Sequence, residues 1–158
     1  MIMKTVAHLF VSLLTLAVAL PLFGAEQKQS DLALPAKSVY DHYLAIQKEL
    51  ARDSMKGVDE HANAIATEVK KGEARGLSTD VAKEAESVAK AKDLKSARQA
   101  FKPLSASLIK YLADNKAGKG VYHEAYCPMA KASWLQTEKD VRNPYYGKSM
   151  LDCGELKN

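Results

Sequence analysis

Apolar residues recur in steps of three and four along most of the chain, the spacing that lines one face of an α-helix. From Pro35 to about Arg52, Val39, Tyr43, Ile46 and Leu50 step by 4, 3 and 4, and Pro35 suits a first-turn position. After the break Ser54-Met55-Lys56-Gly57 a second stripe runs through Val58, Ala62, Ile65 and Val69. It ends near the Gly72 to Gly76 loop, with Lys70 and Lys71 in the last turn, where cations favour the helix dipole. A weaker third stripe, Val81, Ala85 and Val88, spans Thr79 to about Lys90 behind a Ser78 or Thr79 cap. The fourth is the clearest. Asp93 caps it, and Leu94, Ala97, Phe101, Leu104, Leu108 and Tyr111 step by 3, 4, 3, 4 and 3. Pro103 inside it removes a backbone donor and should kink the rod.

Short connections between such stripes favour antiparallel neighbours, so residues of about 35–114 are expected to form an up-down four-helix bundle and the fold class to be all-α. The linker Asn115-Lys-Ala-Gly-Lys-Gly120 ends the helical period. Beyond it, over about 121–158, Tyr122, Tyr126, Trp134, Tyr145 and Tyr146 crowd together. Val121 to Tyr126 alternates like a short strand, Pro128 blocks its continuation and Asn143-Pro144 opens a turn. This reads as an irregular lobe rich in Cys, Met and aromatic residues, lying against the end of the bundle with Trp134 and the tyrosines as its local core.

The start of the chain sets its compartment. Residues 1–8 carry one cation, Lys4, and Leu9 to Phe23 carry no charge, the form of a secretory signal ending near Gly24-Ala25 and too short for a membrane span. The expected organisation is a signal over 1–25 and one domain over 26–158 with no membrane span, in the periplasm or outside the cell. There an unprotected cysteine pair tends to oxidise. Without Lys4 the chain has 22 cations against 19 anions, a net charge of +3. That is too weak and too dispersed to indicate nucleic acid.

Catalytic signatures are missing from the pattern. There is no nucleophile elbow, phosphate loop, metalloprotease helix or Cys-x-x-Cys motif, and Asp59-Glu60-His61 reads as a solvated helix turn, so a non-enzyme is expected. His42 and His61 stand alone on otherwise polar faces and read as surface histidines. The Glu-x-x-His pattern of bundle metal sites does not occur.

Sulfur is the chemistry that stands out. Cys127 precedes Met129 by two and Met150 precedes Cys153 by three, so a tail folded back on itself would gather four soft sulfur atoms. Two readings stay open. One is a soft-metal site. The other is a Cys127–Cys153 disulfide closing a loop of about 27 residues, which a chain-entropy account values at roughly 3 to 4 kcal/mol, with the methionines as packing.

The tail Tyr122-His-Glu-Ala-Tyr-Cys-Pro-Met-Ala130, Trp134-Leu135 and Arg142-Asn-Pro-Tyr-Tyr-Gly-Lys-Ser-Met-Leu-Asp-Cys-Gly-Glu155 resembles the bacterial exported family known as domain of unknown function 3347. The stretch Arg98-Gln-Ala-Phe-Lys-Pro-Leu-Ser105 is similar to that family's last helix. Members of the family also form the C-terminal part of periplasmic adaptor subunits of copper/silver efflux pumps. The resemblance therefore implies heavy-metal handling, with a metal-efflux assembly or another envelope protein as partner. Tyr126-Cys-Pro-Met129 is also similar to the Tyr-Thr-Cys-Pro-Met-His core of small heavy-metal-binding modules, though Ala130 stands where they have histidine. Thiolate and thioether sulfur favour monovalent copper or silver. The expected ligands of copper(I) or silver(I) are Cys127, Met129, Met150 and Cys153, with His123 as a further one on the same strand face as Cys127. The alternative function is a disulfide-locked, non-catalytic protein-interaction module of the cell envelope.

Overall fold

The computed structural model describes residues 34–157, so the signal expected over 1–25 lies outside the described residues. Among them are four α-helices: α1 over Leu34–Ala51, α2 over Val58–Lys70, α3 over Thr79–Ala89 and α4 over Leu94–Asn115. Each begins within a residue or so of where the apolar stripe places it. Ser78 caps α3 by accepting from the Asp80 N–H, and Asp93 with Ser96 forms a reciprocal capping box on α4. Residue Pro103 does not interrupt α4, which stays helical from end to end.

The stripes become the core. Val39, Tyr43, Ile46 and Leu50 of α1, Val58, Ala62 and Ile65 of α2, Ala85 and Val88 of α3, and Ala97, Phe101, Leu104 and Leu108 of α4 have no exposed surface. Helices α1 and α2 run antiparallel, since Ser38 meets Glu68 while His42 meets His61. Helices α1 and α4 do the same: Tyr40 bonds to Leu108, Tyr43 to Ser105 and Arg98 to the Leu50 carbonyl. Helix α3 packs on α2 and on α4.

The segment after α4 overturns the expected all-α fold. Strands β1 (His123–Cys127), β2 (Ala132–Gln136) and β3 (Glu155–Leu156) form an antiparallel sheet in the order β2-β1-β3, so the lobe expected to be irregular is built on a sheet. The reason β2 escapes a period-two reading is its burial: Trp134, Leu135 and Gln136 are consecutive and all buried, which leaves no alternation to see. Nor does the sheet sit on the end of the helices. It packs along their flank, β2 against both α4 and α1.

Polar contacts fix that docking. The Tyr43 hydroxyl lies 2.8 Å from Ser105 Oγ on α4 and accepts from the Leu135 N–H of β2 at 3.1 Å. The Tyr43 ring stacks on Phe101, centroids 4.8 Å apart. Trp134 meets Tyr145 edge-on at 5.8 Å, and the Tyr145 hydroxyl donates to the Ser133 carbonyl. Gln136 has no exposed surface and spends its whole amide: its oxygen accepts from Trp134 Nε1 and the Arg142 N–H, and its nitrogen donates to the carbonyls of Glu138 and Asp140. A buried amide so satisfied costs little and fixes one arrangement of the loop after β2.

A second junction ties the end of α1 to the segment before β3. Arg98 of α4 donates to Asp53 Oδ1, to the Leu50 carbonyl and to the Pro144 carbonyl, and the Lys148 N–H donates to Asp53. Here a short 3-10 turn, Gly147–Ser149, presses on the Asp53–Arg98 pair. Gly147 has φ +59, and a Cβ there would collide with the Asp53 carboxylate and the Arg98 guanidinium.

Candidate functional site

The β1–β2 hairpin and the return of the chain through β3 bring the two cysteines together. Cys127 is the last residue of β1 and pairs in register with Ala132, across a turn in which Lys131 takes a positive φ of 50. Strand β3 pairs Glu155 with Tyr126, which sets the residues just before it beside the end of β1. Gly154, at φ +144, permits this approach, because a Cβ would lie 2.8 Å from the Trp134 ring and 2.9 Å from the Tyr126 carbonyl.

Asn143 holds the return path. It has no exposed surface, its N–H donates to the Leu151 carbonyl at 2.7 Å and its side-chain nitrogen donates to the Cys153 carbonyl at 2.6 Å. Its side-chain oxygen accepts from the N–H groups of Tyr145 and Tyr146. Sequence reasoning took Asn143 for a turn residue; the signal it carried was the Asn-Pro pair, which starts a turn but does not disclose the span the side chain staples.

The outcome is a pair of free thiols, with Cys127 Sγ and Cys153 Sγ 3.1 Å apart. Cys127 is fully buried and Cys153 partly so. Their environments differ. Burial pushes the Cys127 thiol up, but hydrogen bonds from Cys153, from the Ala130 N–H at 3.4 Å, from the Asn143 side chain and from the Met129 N–H outweigh it and hold Cys127 below the usual thiol range. Cys153 moves the other way: its hydrogen bond to Cys127 raises it first, followed by burial and the negative charge of Cys127 and Asp152. Either sulfur can donate across this gap, and the opposite shifts make Cys127 the more readily ionised of the two.

The remaining expected ligands are placed unevenly. Met129 lies in the hairpin turn two residues past Cys127 and is 63% exposed. Met150 follows the 3-10 turn, and its carbonyl accepts from the Cys153 N–H at 3.2 Å. His123 shares a strand face with Cys127 but begins the strand that Cys127 ends, and at about 3.3 Å per residue it stands about 13 Å away. Among the described residues no group of three or more His, Cys, Asp or Glu side chains converges as an ion cage. The chemistry offered is thus a dithiol: two soft donors for a monovalent ion, or two sulfurs a small movement from a covalent bond.

These features define a helical scaffold with a small antiparallel sheet, at whose edge a buried and a half-buried thiol meet. The chain belongs to the family described as Protein of unknown function (DUF3347), which matches residues 39–120. The matched span takes in most of α1, all of α2 to α4 and the linker after them, and it stops short of β1, so both cysteines lie outside it. No curated protein and no solved structure matches the chain. Among the described residues no helix is long and apolar enough to cross a membrane.

Proposed function

We propose that this chain is an exported, periplasmic accessory of copper(I) or silver(I) handling that holds one ion between Cys127 and Cys153 and exchanges it with a metal-efflux assembly. The single observation that carries the reading is the 3.1 Å approach of two free thiols with Cys127 biased toward thiolate. A monovalent soft ion accepts two sulfur ligands, and a thiolate is the form that binds. The solvent-exposed thioether of Met129, two residues from Cys127, supplies a neutral third donor suited to passing an ion on. His123, at the far end of β1, drops out of the ligand set. The uncharged leader-like stretch Leu9 to Phe23 supports the compartment, and the tail's resemblance to the family, which implies heavy-metal handling, supports the partner.

The same short separation favours a second reading, a disulfide-locked interaction module, because sulfurs this close need little movement to bond. Anaerobic titration of the reduced full chain with copper(I) against a chromogenic chelator separates the two. One equivalent retained by the native chain and lost in C127S is expected. Protein isolated under native conditions with no titratable thiol, and no copper retained after reduction, would overturn the metal reading in favour of the locked module.

A further inference from the structure

Away from the sulfur atoms, the seam between α1 and α2 holds a second cluster of metal-binding chemistry. His42 Nδ1 and His61 Nδ1 face each other at 2.9 Å, their rings 5.2 Å apart. On the other side of His42, Nε2 lies 3.5 Å from Glu68 Oε1, and that same oxygen accepts from Ser38 Oγ at 2.9 Å. The second oxygen, Glu68 Oε2, is buried without a hydrogen-bond partner. The pair arises because α1 and α2 run antiparallel, so two histidines that are isolated in sequence arrive at one level of the seam.

The tautomers follow from this geometry. A carboxylate behind Nε2 favours the proton on that nitrogen and leaves the His42 Nδ1 lone pair pointing at His61. With the His42 proton on Nε2, the 2.9 Å contact is made by the Nδ1–H of His61 donating to His42 Nδ1. Moving that one proton from Nδ1 to Nε2 of His61 leaves two lone pairs converging, with no net proton released. An ion at about 2.0–2.1 Å from each nitrogen holds them about 2.9 Å apart as adjacent ligands of a tetragonal site, and about 3.3 Å apart at a tetrahedral angle, so copper(II) geometry needs the smaller adjustment.

We infer that His42 and His61 form a binding site for a divalent borderline metal ion, copper(II) by preference, with both Nδ1 atoms as ligands and Glu68 as a positioning residue. The donors are imidazoles, which suit copper(II) and zinc, whereas the thiol pair suits the monovalent state. Glu68 Oε1 stands 3.5 Å from the outer nitrogen of His42, and a carboxylate beside a ligating imidazole orients the ring and raises its basicity. The His42 side chain is 30% exposed and that of Glu68 20%, so an ion reaches the site from solvent, which supplies the remaining ligands. Asp59 and Glu60 in the first turn of α2 offset the positive helix end that would otherwise oppose a cation beside His61. The inference is independent of the thiol reading.

The test uses the full chain carrying C127S and C153S, so that no thiol reduces the probe. Titration with copper(II) alone, followed by electron paramagnetic resonance, is expected to show one equivalent bound with nitrogen splitting from two imidazoles. H61Q should weaken binding at least tenfold, E68Q by about tenfold, and H123Q not at all. A structural role for Glu68 would leave the histidine tautomers unchanged, so nitrogen-15 spectra of the metal-free protein should show His42 losing its Nε2–H preference in E68Q. On the native chain, zinc should shift the ring signals of His42 and His61 together. Equal copper affinity in H61Q, or zinc shifts that spare these two rings, overturns the inference.

Discussion

Asn143 illustrates how one side chain sets the reactivity of another. Its amide closes the return path to Cys153 and also reaches the Cys127 sulfur, so it both positions the pair and favours the ionised form. Replacing it by alanine orphans the Cys153 carbonyl and the N–H of Tyr145, each worth about 1–3 kcal/mol when left buried and unpaired. N143A is therefore expected to lower unfolding free energy by at least about 1 kcal/mol in urea melts. It should also move the onset of Cys127 ionisation to higher pH, read by the ultraviolet absorbance of the thiolate in the reduced protein. In the native chain that absorbance should begin to rise below the ordinary thiol value of 9.0.

At the scale of elements, the junction of α1, α4 and the 3-10 turn depends on two residues that leave ordinary backbone and charge behaviour. A hydrogen bond from Arg98 holds the Asp53 carboxyl below its usual 3.8, with the Lys148 N–H and both cationic charges adding to it. A carboxylate depressed in the folded state stabilises it fully above the unfolded pKa, and that contribution is lost as pH falls through the lower folded value. The gap in stability between native chain and D53N should therefore be constant near neutrality and close below about pH 4, as followed by urea melts across pH. Gly147 is the steric counterpart. G147A demands a positive φ from alanine and drives a methyl group into the Asp53–Arg98 pair, so it should cost more than about 1 kcal/mol. Its melting temperature should fall further than that of G72A, where an added Cβ meets nothing within 4 Å at a similar φ.

For the molecule as a whole, the sheet is part of the core and not an appendage. Tyr43 and Phe101 are covered where β2 packs between α1 and α4, and the Tyr43 hydroxyl needs the Leu135 N–H. A chain ended at residue 120, the limit of the family match, should keep helical circular dichroism but bind a hydrophobic dye and lose its cooperative melt. Sequence periodicity resolved the helices because each buries one stripe and wets the opposite face. It failed for β2, whose consecutive buried residues carry no period, and for β3, which is two residues long. The meeting of Cys127 and Cys153 was legible as sulfur chemistry, because each cysteine has a methionine two or three positions away. The histidine pair was not, since its members sit 19 positions apart on different helices and meet only through the direction in which those helices run.

The brevity of β3 also governs how this protein behaves in a crowd. Strand β2 is covered by helices, and the opposite border of the sheet offers only Glu155 and Leu156, with Lys157 already bonded back to Glu124. A neighbouring molecule finds scarcely any row of unpaired amides there to extend, and flanking charges discourage it further. Colloidal stability should therefore be set by the surface charge and by intermolecular thiol exchange, not by strand-to-strand recruitment.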